Sequence, residues 1–164
     1  MLATFLADSA KKNFIKRTWD RLSALPGGTR AFSRLVGIAA PYTSTIRAHV
    51  IRVEPGRAEV TMDDRRSVRN HIDCIHAVAL ANLVELTGNT ALAYSLPDDA
   101  RFIVAKMTIE YSKKARGTIR AVGTCEVPRS SERRELVVTV DITDESGALT
   151  TRGTMVTLVG PKKA

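Results

Sequence analysis

The sequence lacks several features that would assign it to a class of protein at once. No hydrophobic run approaches the roughly 20 residues that a membrane-spanning helix needs, so we expect no membrane span. Residues 1–10 lack the basic start of a signal peptide, which favours a cytoplasmic location. The only two cysteines, Cys74 and Cys125, give no disulfide framework, and we expect both to be reduced.

Aromatic residues make up 5% of the chain and no nucleic-acid-binding motif is present, which argues against a nucleic-acid-binding protein. The net charge of +8 favours an anionic partner, and a phosphorylated small ligand fits that charge as well as nucleic acid does.

The order of helical and strand patterns predicts a single α+β domain. Apolar spacing predicts a helix over residues 2–22, a short helix over 30–37 and a loop at Pro41. A long apolar stretch predicts a central helix over residues 76–94. The predicted strands cover residues 46–53, 57–62, 102–111, 118–127, 135–143 and 148–159. Strands grouped apart from helices indicate an antiparallel sheet, and one long apolar helix against such a sheet is the plan of a hotdog fold. We therefore divide the chain into an N-terminal helical extension, residues 1–44, and a hotdog domain, residues 45–160.

The central helix contains the most informative residues of the chain. From Ala77 to Leu86 it is apolar on all sides except for Asn82 and Glu85. A helix of this kind is normally buried, and a carboxylate inside it indicates either a partner or a functional role. Because Asn82, Glu85 and Asn89 share one helix face, a narrow exposed stripe with Glu85 paired to lysine or arginine is the alternative.

Two segments carry a family resemblance. Residues 69–86 resemble the loop-plus-helix motif of hotdog-fold acyl-CoA thioesterases, in which an asparagine, a histidine and an acidic residue recur at the spacings of Asn70, His76 and Glu85. Residues 106–117 are similar to the family's strand after the helix. The resemblance covers residues 45–159 and is closest to the DUF4442 branch. That branch shares the additional helical segment at the N-terminal end.

The resemblance implies roles for the motif residues. Glu85 would act as general base or nucleophile, since a desolvated carboxylate suits base chemistry near neutrality. The backbone N–H of Ala77, at the helix N-terminus, would stabilise the oxyanion, and Asn70 would orient water or the thioester carbonyl. His76 is either a proton shuttle or, slightly preferred, a residue that bonds to the backbone at the helix start.

The substrate implied is an acyl-CoA or related acyl thioester, with coenzyme A as part of the substrate and no other cofactor. Lys113, Lys114 and Arg116 follow a strand end and could hold its phosphates, although surface solubility explains them equally well. Asn82 completes the predicted substrate-binding residues. The histidines and Cys74 of the loop match no standard zinc spacing, so we predict no metal site.

Helix geometry keeps His76 and Glu85 apart within one chain, so either the two are unrelated or a second chain completes the site. Glu85 lies nine residues beyond His76, which is about 13 Å along the helix axis and half a turn around it. A homodimer, or a dimer of dimers, would bring Asn70 and the Ala77 amide of one chain to Glu85 of the other.

Departures from the family motif keep other functions open. Ala77 and Asp73 stand where family members usually have glycine, and the Cβ of Ala77 would crowd a thioester. A non-catalytic acyl-CoA- or lipid-binding protein is therefore the main alternative. A hydratase or dehydratase is less favoured, because its usual aspartate–histidine pair on a different loop is not found.

Overall fold

Within residues 13–162 the fold is a six-stranded antiparallel sheet that holds one long helix, with three shorter α-helices before the first strand. A computed structural model describes residues 13–162. The helices are α1 (Phe14–Leu22), α2 (Gly28–Ala39), α3 (Pro41–Ser44) and α4 (Ala77–Ser95). The strands are β1 (His49–Glu54), β2 (Arg57–Met62), β3 (Ala100–Tyr111), β4 (Ile119–Cys125), β5 (Arg134–Thr143) and β6 (Leu149–Pro161). The strand order is β1-β2-β4-β5-β6-β3, and the predicted α+β hotdog architecture is confirmed.

Most predicted elements are confirmed to within a few residues, and the differences have local causes. The predicted loop at Pro41 is wrong, because Pro41 starts α3, where its missing N–H costs nothing. The first strand begins at His49 rather than at residue 46, since Arg47 adopts a left-handed backbone with φ of 47°. Helix α1 begins after Asn13, whose side chain accepts a hydrogen bond from the Lys16 N–H. The part of the predicted first helix over residues 2–12 lies outside the described residues.

Helix α4 packs unusually close to the sheet because glycines face it. A Cβ at Gly153 of β6 would lie 2.3 Å from Cγ1 of Val84, and one at Gly123 of β4 would lie 3.1 Å from the Thr87 side chain. On the helix itself, a Cβ at Gly88 would lie 2.6 Å from Sδ of Met155. This close approach buries the sheet-facing side of α4, including Leu83, Val84, Ala91 and Leu92, completely.

The N-terminal helices cover a second side of α4. Trp19 of α1 and Phe32 of α2 meet edge to face with ring centroids 5.0 Å apart, and both are buried. The Asn13 amide donates to the carbonyls of Ala93 and Leu96, which would otherwise be unpaired at the C-terminal end of α4. Within residues 13–162 no helix combines the length and the apolar character that crossing a membrane requires.

Strand β3 forms one edge of the sheet and is largely uncovered. Among residues 13–162 it pairs with β6 on one side only, and these residues leave the other edge of its twelve residues open. Ile103 is 65% exposed, Tyr111 49% and Met107 37%. A long apolar edge of this kind is a template for pairing with another chain.

Candidate functional site

The loop before α4 is built around the Asn70 side chain. Its Oδ1 accepts hydrogen bonds from the backbone N–H groups of Ile72 (3.1 Å) and Cys74 (3.3 Å). The Asn70 backbone N–H in turn donates to the Cys74 carbonyl at 2.9 Å. Nδ2 carries two hydrogens, and within the described chain its one partner is Cys74 Sγ, at 3.3 Å, so one hydrogen is left to donate elsewhere.

The loop turns at Asp73, which explains one departure from the family motif. Asp73 has φ of 54°, a left-handed conformation that glycine adopts freely and that aspartate tolerates better than most residues. Arg116 donates from Nε to the Asp73 carbonyl at 3.0 Å. Arg116 therefore holds the loop in this conformation, and its guanidinium is committed to a backbone contact that the sequence did not predict.

Asp64 fastens the loop to the rest of the domain. Its carboxylate accepts from Nε of Arg69 at 2.6 Å and from the Gly117 N–H at 3.1 Å. Although burial alone would raise the pKa of Asp64, the hydrogen bonds from Arg69 and Gly117 outweigh it and hold that pKa below its ordinary value. The Ile75 N–H also donates to the Ala115 carbonyl at 2.9 Å. These contacts join the loop before α4 to the loop after β3.

Helix α4 begins with a free backbone donor. His76 is the N-cap, and its Nδ1 accepts from the Val78 N–H at 3.1 Å, which is the backbone-bonding role preferred for it from the sequence. The Ala77 N–H has no acceptor within residues 13–162. Tyr111, at the end of β3, donates its hydroxyl to the Ala77 carbonyl at 3.1 Å. The helix dipole adds to the attraction of this N–H for negative charge.

A cavity of about 300 Å³ opens at this helix end, and we call it the loop cavity. Four of the predicted site residues line it together with Tyr111: Asn70, Ala77, Lys113 and Lys114. The Lys113 ammonium donates to Asp144 at 2.7 Å, and that contact helps to hold the pKa of Asp144 well below its usual range. Lys114 is exposed and has no side-chain partner within residues 13–162. The cavity thus combines the free Ala77 N–H and the spare Nδ2 hydrogen of Asn70 with the ammonium groups of Lys113 and Lys114, a set suited to an anionic or carbonyl-bearing ligand.

Glu85 lies apart from the loop cavity, on a side of α4 that the described part of the chain leaves uncovered. The expectation that it is buried is wrong for the single chain, because its side chain is exposed. The alternative, Glu85 paired to a lysine or arginine, is also not found, since no residue among 13–162 forms a hydrogen bond or ion pair with the Glu85 carboxylate. Asn82, one turn before it, is only 5% exposed and donates from Nδ2 to the Tyr42 carbonyl at 3.3 Å. The Oδ1 atoms of Asn82 and Asn89 are buried without a partner in the described chain.

Of the predicted site residues, His76 caps α4 and Arg116 bonds to the loop backbone, and the other six fall into two groups. Asn70, Ala77, Lys113 and Lys114 meet at the loop cavity, whereas Asn82 and Glu85 lie further along α4. Tyr111 was missed from the sequence, although its place at the end of a strand beside two lysines was a usable signal. No group of three or more histidine, cysteine, aspartate or glutamate side chains within residues 13–162 is arranged to hold a metal ion.

Comparison with known proteins identifies the family. The sequence matches the family described as Domain of unknown function (DUF4442) over residues 28–159, and the chain belongs to that family. A structural-genomics protein of known structure is 32% identical, with a TM-score of 0.78 over 90% of this chain and 99% of its own. Comparison with curated proteins returns no match.

Two more distant solved structures share the fold. One is a Pseudomonas aeruginosa protein of unknown function described as a probable thioesterase, 22% identical, with a TM-score of 0.72 over 84% of this chain and 97% of its own. The other is a Haemophilus influenzae thioesterase, 16% identical, with a TM-score of 0.69 over 83% of this chain and 92% of its own. At these identities the likeness shows the hotdog fold.

Proposed function

We propose that this protein is a thioesterase that hydrolyses an acyl-CoA or related acyl thioester at a site shared by two chains. The observation that carries the proposal is the loop cavity, where a free N–H at the start of α4 meets Asn70 and two lysines. The names of the Pseudomonas and Haemophilus relatives favour the same chemistry.

The cavity offers what the developing oxyanion requires. In the proposed reaction the thioester carbonyl accepts from the Ala77 N–H, and the negative charge on its oxygen grows as water attacks the carbonyl carbon. Glu85 takes the proton of that water as general base, the C–S bond breaks, and Glu85 returns the proton to the departing thiolate, so that the products are a carboxylic acid and the carrier thiol. Asn70 uses its remaining Nδ2 hydrogen to orient the carbonyl or the water. Lys113 and Lys114 attract the carrier phosphates.

A second copy of the chain would bring a Glu85 carboxylate close to the Ala77 N–H. Glu85 lies eight residues beyond Ala77 on the same rigid helix, or about 12 Å along its axis, so one chain cannot bring the two together. We infer that β3 pairs with β3 of a second copy about a two-fold axis, which covers the open edge and its apolar residues. Antiparallel pairing sets the Tyr111 end of one β3, with its adjoining loop cavity, beside the Ala100 half of the other. The partner would also desolvate Glu85, which suits its role as a base.

The test is hydrolysis of a panel of acyl-CoAs by the wild type and by Glu85→Gln, an isosteric change that removes the base. We expect the variant to lose at least about a hundredfold in kcat, the range typical of a general base. Glu132→Gln, at an exposed loop glutamate, is the matched control and should leave hydrolysis unchanged. Equal turnover by the wild type and Glu85→Gln would eliminate the role of Glu85.

A non-catalytic acyl-thioester-binding protein is the second candidate. It is favoured by the Ala77 Cβ at the mouth of the cavity and by Asn70 Oδ1, which is already used within the loop. Binding of a non-hydrolysable acyl-CoA analogue, together with no turnover of any acyl-CoA in the panel, would decide for this candidate.

A further inference from the structure

A second cavity, larger than the loop cavity, lies between the N-terminal helices and the sheet. It has a volume of about 660 Å³, within the range of small-molecule sites, and we call it the arginine cavity. Its walls come from α2, α3, β1 and the start of the loop after β2, with Leu86 of α4 at the back. Val36, Val50 and Leu86 give it an apolar surface.

The arginine cavity has more positively charged than negatively charged side chains. Arg30, Arg34 and Arg47 line it, against the single carboxylate of Asp63. The three guanidinium groups are exposed, and none forms a hydrogen bond or ion pair within residues 13–162. His49 adds no charge near neutrality, because burial and the nearby Arg30 lower its pKa. Three guanidinium groups without a partner within residues 13–162, in a cavity that also has apolar lining residues, suit an amphiphilic anion, and the planar guanidinium matches the bidentate geometry of a carboxylate.

The arginine cavity lies at the same level of α4 as Glu85. Leu86 is the neighbour of Glu85 in the chain, and Asn82, one turn earlier, donates to the Tyr42 carbonyl beside Thr43 and Ser44 of the cavity wall. The loop cavity, with Lys113 and Lys114, has no lining residue in common with it. The two cationic cavities are therefore separate binding regions.

We propose that the arginine cavity receives the far end of the acyl group and that this end carries a carboxylate, so that the preferred substrate is an ω-carboxyacyl thioester. This substrate assignment rests on the proposed thioesterase function. The methylene chain lies on Val36, Val50 and Leu86, and the terminal carboxylate binds the arginines at the rim. The carrier phosphates stay outside the arginine cavity and are attracted by Lys113 and Lys114.

The test compares two acyl-CoA substrates of equal chain length, one ending in a methyl group and one in a carboxylate. We expect wild-type kcat/KM to be at least about tenfold higher for the carboxylate-ended substrate, the value of one charge-assisted hydrogen bond. Arg34→Gln and, separately, Arg30→Gln should each bring the ratio of the two kcat/KM values towards one. Arg129→Gln, at an exposed loop arginine away from both cavities, should keep the ratio of the wild type. A wild-type ratio of one or below would overturn the proposal.

A binding measurement separates this proposal from the thioesterase function. Calorimetric titration with the free dicarboxylate should show binding that Arg34→Gln weakens at least about tenfold, while the monocarboxylate of equal length binds more weakly to the wild type. Arginine-dependent binding of the dicarboxylate without turnover of any thioester would refute the thioesterase function and support the anion site. Turnover without preference for the carboxylate-ended substrate would support the thioesterase function and refute the anion site. Coenzyme A binding that is lost in Arg34→Gln but not in Lys114→Gln would assign the cavity to the carrier phosphates and overturn the proposal.

Discussion

Replacing Gly153 by alanine tests the close contact between α4 and the sheet. The added Cβ would lie 2.3 Å from Cγ1 and 2.8 Å from Cγ2 of Val84, well inside the 3.5–4.0 Å or so of a favourable carbon–carbon contact. Val84 is completely buried, so its side chain has no free space to move into. Overpacking of this kind costs about 1–3 kcal/mol of unfolding free energy. For a domain of this size each kcal/mol corresponds to a fall in Tm of roughly 2–4 °C.

The assay is urea unfolding at one fixed protein concentration, because any oligomer makes stability depend on concentration. The midpoint should fall for Gly153→Ala while the slope m is unchanged. Gly160→Ala, in the same strand, is the control, since its Cβ would lie 3.4 Å from Cγ of Arg133 and needs little adjustment. Adding Val84→Ala to Gly153→Ala should relieve the clash, so the double variant should be more stable than the sum of the two single losses predicts. Equal midpoints for Gly153→Ala and Gly160→Ala would refute the close packing of α4.

Two further predictions concern titrating groups. Asp64→Asn should lower the unfolding free energy by about 1–2 kcal/mol at neutral pH, because it removes the ion pair to Arg69. Since the folded-state pKa of Asp64 is depressed, its stabilising effect is present above the unfolded pKa of about 4 and is lost as the pH falls through the folded pKa. The gap between wild type and variant should therefore narrow in urea titrations at acidic pH, and a constant gap would contradict the linkage. Burial raises the pKa of Cys125 to about 11, so iodoacetamide at pH ~8 should label it at least about tenfold more slowly in the folded chain than in urea. Equal labelling rates, measured on the Cys125 peptide by mass spectrometry, would exclude a Cys125 pKa raised by burial.

The sequence predicts the fold well because the long apolar helix and the alternating strands leave few other ways to bury the apolar residues. It fails at α3, because Pro41 is compatible with both a loop and the first turn of a helix. The exposure of Glu85 depends on which side of α4 the N-terminal helices cover, and apolar periodicity does not contain that information. The face predicted to hold Asn82 and Glu85 together is divided, since α3 covers Asn82 and leaves Glu85 open.

The candidate site was partly predictable for a similar reason. The Asn70 loop and the start of α4 are local in sequence, so motif spacing identified them. The arginine cavity was missed because its residues come from separate segments that only the folded chain brings together. The role of Arg116 was missed because its partner is a backbone carbonyl, that of Asp73, rather than a side chain.

Subunit complementation tests whether Asn70 of one chain and Glu85 of another form one site. Asn70→Asp keeps the acceptor oxygen of the loop and removes the Nδ2 donor, and Glu85→Gln removes the base. Each variant alone should be nearly inactive towards an acyl-CoA that the wild type hydrolyses. After the two are mixed, unfolded and refolded together, half of the dimers are mixed and each has one intact site, so about a quarter of wild-type activity should return. Activity no greater than that of the separate variants would contradict a site shared between two chains.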